Sequence, residues 1–401
     1  MEDSILTFYL GTIAVSTRCS IVQNYEELFV KNAEKILAKA EAEGHDLVIL
    51  ANPSNILYAT GIRSPSGIII LSNNCTWILV TSILDYSRMS SQAPKPYTVK
   101  VAYRGANEAL EAAVPKSHLI KAPLTEAAAE VVKICGAKKP AADLGMINHS
   151  LASSLKQKIP ELSDFSKHLS KIRSIKSSEE IDLITKAVEI AEEALRRTLL
   201  YIREGVSEAD IAGSLYKELL SLGSWGEAFP SIIAFYANTA YPHYTPGQVR
   251  LTSPGPILVD WGAVYHGYRS DSTRTFWWGR PSSTFKKHYE ALLEAQEAAI
   301  DSIYAGAEAR EPDTQARQVL RKHGLEKYFI HGLGHGVGVD VHEEPYLRPG
   351  SETILENNMI VTIEPGIYLD KIHGIRIEDL AVVTPSGARL LTKFTRHLIE
   401  L

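Results

Sequence analysis

The sequence predicts two domains: an α/β domain over residues 1–170, and an α+β domain with pseudo-two-fold internal symmetry over residues 176–401. Three observations carry this reading. Strand-like and helix-like segments alternate as far as about Asp164, the pattern of a layered α/β unit. Residues 167–180 (KHLSKIRSIKSSEE) turn from basic to Ser-rich to acidic, as a domain boundary does. Beyond them, two strand-rich blocks are separated by helices, and each block carries two carboxylates about a turn. The 401-residue length agrees, since single cores stop growing at roughly 250–300 residues.

In chain order, residues 24–44 place Leu28, Ala33, Ile36, Leu37 and Ala40 on one helical face. DLVIL at 46–50 is a buried strand, and 67–72 and 76–81 are strands about the Asn73-Asn74 turn signal. Residues 97–103 alternate as a strand does, while 108–113, 124–135 and 147–158 have helical patterns. Ser177 or Ser178 can cap a long amphipathic helix over 181–202, with Glu179 and Glu180 in its first turn. A second helix, 208–222, follows the Ser207 cap. Strands dominate 230–276, helices return at 283–305 and 314–323, and strands dominate again over 359–391.

Composition excludes several function classes. Lys plus Arg number 42 against 47 Asp plus Glu, so no basic field argues for nucleic acid. Cys19, Cys75 and Cys135 are far apart and form no C-x-x-C pair. That argues against a disulfide framework and fits a reducing compartment. The apolar stretch 5–15 is interrupted by Thr7 and Thr12, and it is shorter than the about 17–25 residues of a membrane span. Glu2 and Asp3 precede it, where a signal peptide is positively charged. It reads as an N-terminal strand or packing arm, so a cytoplasmic location without a membrane partner is expected.

The chemistry concentrates in the two strand blocks. Residues 257–279 (ILVDWGAVYHGYRSDSTRTFWWG) place Asp260 and Asp271 on either side of a turn at 264–267. Paired antiparallel, they are near cross-strand neighbours, and two carboxylates in apolar strands are costly unless a cation neutralises them. Residues 359–383 (MIVTIEPGIYLDKIHGIRIEDLAVV) repeat the arrangement with Glu364 and Glu378, whose midpoint is Lys371. Four carboxylates and one imidazole suit Mn²⁺, Co²⁺, Fe²⁺ or Zn²⁺, and suit two ions better than one. Such ions, about 3.5–4 Å apart, lower the pKa of a shared water and clamp a transition state.

The imidazole is expected from 331–343 (HGLGHGVGVDVHE), where glycines permit close backbone approach. A nucleotide loop is the competing reading, but no Walker Lys follows. Tyr346 stands where H-E-x-x-H needs its second His, and no G-x-S-x-G occurs. His243 lies in a Pro-bounded loop, and His266 and His373 in the turns read as solvated. Arg376, two residues before Glu378, is a counter-ion or an orienter of a metal ligand.

FPSIIAFYANTAYPHY, LVDWGAVYHGYRSDSTRTF, HGLGHGVGVDVHEEP, VTIEPGIY and GIRIEDLAVV, in this order over 176–401, resemble the pita-bread metallopeptidases: prolidase, aminopeptidase P, methionine aminopeptidase and creatinase. NPSNILYATGIR at 52–63 resembles the N-terminal domain of all but methionine aminopeptidase. The resemblance implies Asp260, Asp271, His335, Glu364 and Glu378 as ligands of two divalent ions, Mn²⁺ or Co²⁺ first, then Fe²⁺ or Zn²⁺. It implies that Asp271 and Glu378 bridge the ions, and that Glu364 also takes a proton from the attacking water. His243 would contact the scissile amide or stabilise the intermediate, His342 would polarise the carbonyl, and His331 and Arg376 would line or support the pocket.

A homodimer acting on proline-containing peptides is the implied assembly. The compact chain favours an Xaa-Pro dipeptidase, with an Xaa-Pro aminopeptidase as the alternative and a non-catalytic scaffold of the same fold as a more distant one. Two departures stand out. Phe235 and Tyr236 replace small residues and could reshape the pocket, and about twenty extra residues precede the first helix.

Overall fold

The computed structural model describes residues 25–105 and 114–401. It divides into two compact units, Ser20–Arg173 and Ser174–Leu401. The arm expected at 5–15, the helix expected at 108–113 and Cys19 lie outside the described residues.

The first unit runs α1 (Glu26–Ala42), β1 (Leu47–Leu50), α2 (Pro53–Thr60), β2 (Ile68–Ser72), β3 (Ile78–Thr81), α3 (Ile83–Gln92) and β4 (Thr98–Ala102). It continues with β5 (Leu119–Ile120), α4 (Leu124–Ile134), β6 (Pro140–Ala142), α5 (His149–Lys158), β7 (Ser163–Asp164) and α6 (Ser166–Ser174). The strands form one mixed sheet in the order β5-β4-β3-β2-β1-β6-β7. Helix α2, not anticipated from the sequence, has a full set of local signals. Asn52 accepts from the Ser54 and Asn55 amides, Pro53 occupies the first turn, and Gly61 ends the helix at φ 69°. Helix α6 also occupies most of the stretch 167–180, within which the two units divide.

The cysteine reading is overturned. Cys75 and Cys135, 60 residues apart in sequence, are joined by a disulfide with Cα atoms 5.4 Å apart. Cys75 sits in the β2–β3 turn and Cys135 caps the end of α4. Both pack on one apolar cluster with Val80, Ala128 and Val131. Spacing in sequence could not show this, because the helix end is carried to the turn by packing on the sheet.

The second unit is built twice over. A helix pair, α7 (Ser178–Leu199) and α8 (Glu208–Ser221), precedes β8 (Ile232–Phe235) and a long hairpin of β9 (Gly255–Trp261), β10 (Val264–Tyr265), β11 (Tyr268–Arg269) and β12 (Ser272–Trp278). A second pair, α9 (Ser283–Asp301) and α10 (Glu311–Lys322), precedes β13 (Gly334–Gly336) and β14 (Glu343–Leu347). The second long hairpin follows as β15 (Ile360–Ile363), β16 (Gly366–Leu369), β17 (His373–Arg376) and β18 (Asp379–Thr384), with β19 (Gly387–Leu390) after it. The main sheets are β12-β9-β8 and β14-β13-β15-β18-β19, and each hairpin ends in a two-stranded ribbon, β10–β11 or β16–β17.

Local chemistry explains the helix starts. Ser177 and Ser207 each form a reciprocal capping box, with Glu180 and Asp210 respectively. Packing then fixes the hairpins. Trp261 is fully buried and its indole donates to the Ala191 carbonyl of α7 at 2.7 Å. Burying a large apolar side chain of this kind contributes about 1.5–3 kcal/mol. Among the described residues, no helix is long and apolar enough to cross a membrane.

Candidate metal centre

Both hairpins turn where the sequence placed their turns, but their registers differ. In the first, His266 and Gly267 have φ of 46° and 89°, the left-handed pair that a two-residue hairpin loop requires. This turn sets Thr273, not Asp271, opposite Asp260. Asp271 is therefore a diagonal neighbour on the same face, still within reach of a shared ligand. In the second hairpin Ile363 pairs with Asp379 and Gly366 with Arg376. Glu364 and Glu378 thus fall opposite one another about Lys371, which takes φ 60°.

The two hairpins are tied to each other at Thr273. Its carbonyl accepts from the Glu378 amide at 3.0 Å, and its hydroxyl donates to Glu378 Oε2 at 2.7 Å. Asp271, His335 and Glu378 then offer ligand atoms that all lie within 4.8 Å of one another. His335 Nε2 is 3.1 Å from Glu364 Oε1 and 3.7 Å from Asp271 Oδ2. Its Nδ1 is 3.1 Å from the Gly336 carbonyl, so Nδ1–H is the donor and Nε2 faces the acids. This carbonyl-oriented imidazole is what a metal-ligating histidine needs.

Glycine makes β13 possible. A Cβ on Gly334 would meet the Thr362 carbonyl oxygen at 2.0 Å, and one on Gly336 would meet that of Glu344 at 2.3 Å. The Gly-rich run therefore serves strand packing that presents His335, not a phosphate.

The electrostatics ask for a cation. Burial, then the charge of Asp260, pushes Asp271 well above the usual carboxylate range. Burial, then Asp271 and Glu364, does the same to Glu378. Burial raises Asp260 as well, although Arg376 Nη2 donates to its Oδ2 at 2.5 Å. Glu364 behaves differently: burial pushes it up, but the hydrogen bond and charge of His335 outweigh this and hold it at about 2. Burial lowers His335, yet Glu364 and Asp271 together lift it to about 9. Asp260 Oδ1 is buried with no hydrogen-bond partner. An orphaned carboxylate oxygen beside three further acids and an aimed imidazole fits divalent cations, whose charge would favour the ionised forms of Asp271 and Glu378.

A cavity of about 700 Å³ opens on this cluster. His243, His331, His342 and Arg376 line it with the five expected ligands. The His342 ring lies edge-on to His335, with centroids 4.3 Å apart, and burial lowers its pKa. His331, also lowered by burial, places Nδ1 2.8 Å from the Gly332 carbonyl and Nε2 2.9 Å from the Tyr368 hydroxyl. Arg376 Nη1 donates to the same hydroxyl at 2.8 Å and Arg376 Nε to Thr273 Oγ1 at 3.0 Å. One guanidinium thus links both hairpins and the His331 wall.

Sequence reasoning missed Thr273, Tyr368, Tyr346 and Arg348. Tyr368, four residues after Glu364 inside a quoted motif, was the most visible of them. Two expectations about neighbours fail. Phe235 is fully buried in the core with Ile233 and Trp261, and the Tyr236 hydroxyl takes the Thr252 and Ser253 amides. Neither lines the cavity. His373 is not solvated but buried, with Nε2 3.0 Å from His288 Nδ1.

Comparison with known proteins agrees with this geometry. Residues 182–385 match metallopeptidase family M24, and residues 33–175 match the creatinase/prolidase N-terminal domain. The chain is 32% identical over 368 residues to the Xaa-Pro dipeptidase of Pyrococcus furiosus, covering 91% of this chain and 99% of that one. Among solved structures, Xaa-Pro dipeptidase from Bacillus anthracis aligns with TM-score 0.82 at 31% identity, over 93% of this chain and 100% of that one. X-Pro aminopeptidase from Thermotoga maritima aligns with TM-score 0.82 at 28% identity, over 92% and 99%. With the doubled helix-pair-and-hairpin unit and the acid–histidine cluster on facing hairpins, these matches carry the conclusion that the chain belongs to metallopeptidase family M24, with the pita-bread fold and a creatinase/prolidase N-terminal domain.

Proposed function

We propose that this protein is an Xaa-Pro dipeptidase using two divalent ions, Mn²⁺ or Co²⁺ in first place. The observation that carries the reading is the convergence of Asp260, Asp271, His335, Glu364 and Glu378 on a cavity that His243, His331 and His342 also line. Those five would hold the ions. Bound ions would supply Lewis acidity and an acidified water.

The chain's own groups have separable tasks. Family resemblance gives Glu364, which lines the cavity, the further task of accepting a proton and returning it to the departing nitrogen. His342, kept neutral by burial, can donate to the substrate carbonyl, and His243 can donate at the scissile amide. Each donor would stabilise charge that develops on the substrate. Arg376 holds Asp260 and the His331–Tyr368 pair in place.

Arg348 supports a dipeptide over a longer peptide. It lines the cavity, and its guanidinium lies 5.0 Å from the Tyr346 ring centroid. A dipeptide's terminal carboxylate is an anion that a fork of N–H donors can receive in two parallel hydrogen bonds.

The test compares an Xaa-Pro dipeptide with an Xaa-Pro-Yaa tripeptide under added Mn²⁺ or Co²⁺. The dipeptide is expected to turn over, and Arg348→Ala to raise its KM by about tenfold or more, the worth of a charged hydrogen bond. Turnover of the tripeptide alone would establish the aminopeptidase reading instead, the activity for which the Thermotoga maritima neighbour is named.

Three further proposals accompany this one. The domain limits are 1–170 and 176–401, and the assembly is a homodimer, on family resemblance alone. The location is cytoplasmic, although the Cys75–Cys135 bond removes the cysteine argument for it. Such bonds are a feature of oxidising compartments and of intracellular proteins from hyperthermophiles.

A further inference from the structure

Glu208 is fully buried in the first turn of α8. The helix has no need of it, because Ser207 and Asp210 already complete the capping box. All four hydrogen bonds to its carboxylate come from one segment, residues 235–247. Oε1 accepts from the Phe235 amide at 2.8 Å and from Asn238 Nδ2 at 2.9 Å. Oε2 accepts from the Tyr244 hydroxyl at 2.8 Å and from the Gly247 amide at 3.0 Å. Asn238 Nδ2 also donates to the Tyr244 hydroxyl at 2.8 Å, closing a ring. The donors therefore bracket His243 on both sides.

The same segment is held from its other face by the second hairpin. The Gly374 amide donates to Thr239 Oγ1 at 2.8 Å, and a Cβ on Gly374 would meet the Thr239 carbonyl oxygen at 1.9 Å. A buried carboxylate is costly unless its acceptor sites are filled. Here each filled site fixes a backbone or side-chain group of the His243 loop.

We propose that Glu208 is a positioning residue that clamps residues 235–247 and so aims His243 into the cavity. The inference rests on the role given to His243 above. It has two consequences, one kinetic and one independent of turnover.

Glu208→Gln keeps the volume but turns an NH₂ group toward two donors. Dipeptide kcat is expected to fall roughly 10- to 100-fold, as a displacement of about 1 Å does, with metal content unchanged. In the His243→Ala background the same change is expected to cost less than about twofold, the signature of two residues acting through one another. An equal loss in both backgrounds would overturn the clamp. Hydrogen exchange is the second readout: the peptide spanning 235–247 is expected to exchange faster in Glu208→Gln, while that spanning 255–278 does not change. Unchanged exchange at 235–247 overturns the proposal, even in a protein that cleaves no peptide, where the dipeptidase reading alone would have failed. Should Glu208→Gln not fold, Asn238→Ala removes two bonds of the ring and is held to the same two criteria.

Discussion

Asp271 and Glu378 carry carboxyls that burial and the charges of neighbouring acids push well above their ordinary range. A cation turns that repulsion into attraction, so each of these acids matters most when the site is filled. Asp271 supplies one of three ligand atoms lying within 4.8 Å of one another. Asp271→Ala is therefore expected to lose metal and turnover together, by more than the roughly 10- to 100-fold typical of losing a supporting partner. Metal stoichiometry and dipeptide turnover measured on one preparation check this, and near-normal values would remove Asp271 from the ligand set. Of the residues around the cluster, the acids could be read from the sequence because they come in two pairs, each about a turn, most of them beside Val, Ile or Leu. Thr273 and Tyr368 could not, since nothing in a Thr or Tyr side chain announces which carboxylate or guanidinium it will meet.

The hairpin is the element that organises the site, and its turn decides what its strands can do. The His266-Gly267 turn shifts the first ladder by two residues from the symmetric pairing that the acids alone suggested, whereas the Lys371 turn keeps the second symmetric. A shift of two preserves the face on which each side chain lies, so both acids still meet.

The second hairpin is also tied to α9 by the His288–His373 pair, which gives it a pH dependence. Burial, and then the charge of His288, lowers His373 to about 4, while an unfolded histidine titrates near 6.5. A base with a depressed folded pKa contributes stability that is fully present above the unfolded value and lost as pH falls through the folded one. The urea midpoint is expected to fall between pH 6.5 and 4, and to fall less in His373→Phe. Equal falls in both proteins would show that the pair contributes nothing to the loss.

At the scale of the molecule, buried acids and metal make stability conditional. A carboxyl whose folded pKa is raised contributes stability that is present below its unfolded pKa and lost as pH rises through the folded one. Metal-free, Asp271 and Glu378 therefore weaken residues 174–401 most at neutral and alkaline pH. Added Mn²⁺ is expected to raise the thermal midpoint, through about 2.7 kcal/mol of added stability at a hundredfold excess over Kd. The rise over a chelated sample is expected to be larger at pH 8 than at pH 5. A midpoint indifferent to chelator at both pH values would remove the cation from the core of this unit.

What the sequence by itself determined was local or repetitive: the helix starts at Ser177 or Ser178 and at Ser207, the strand faces, the two hairpins and the acids they carry. These follow from neighbours a few residues apart, through capping, periodicity and turn chemistry. The motif order added the family, because those acids and histidines recur at characteristic positions along the chain. Only the tertiary structure decided the contacts between distant segments: Cys75 with Cys135, His288 with His373, Arg376 between Asp260 and Tyr368, and Glu208 with the loop of His243. Their partners are brought together by helices packing on sheets and by one hairpin facing another. Side-chain chemistry along the chain records that a group needs a partner, and only the packed fold selects which one it meets.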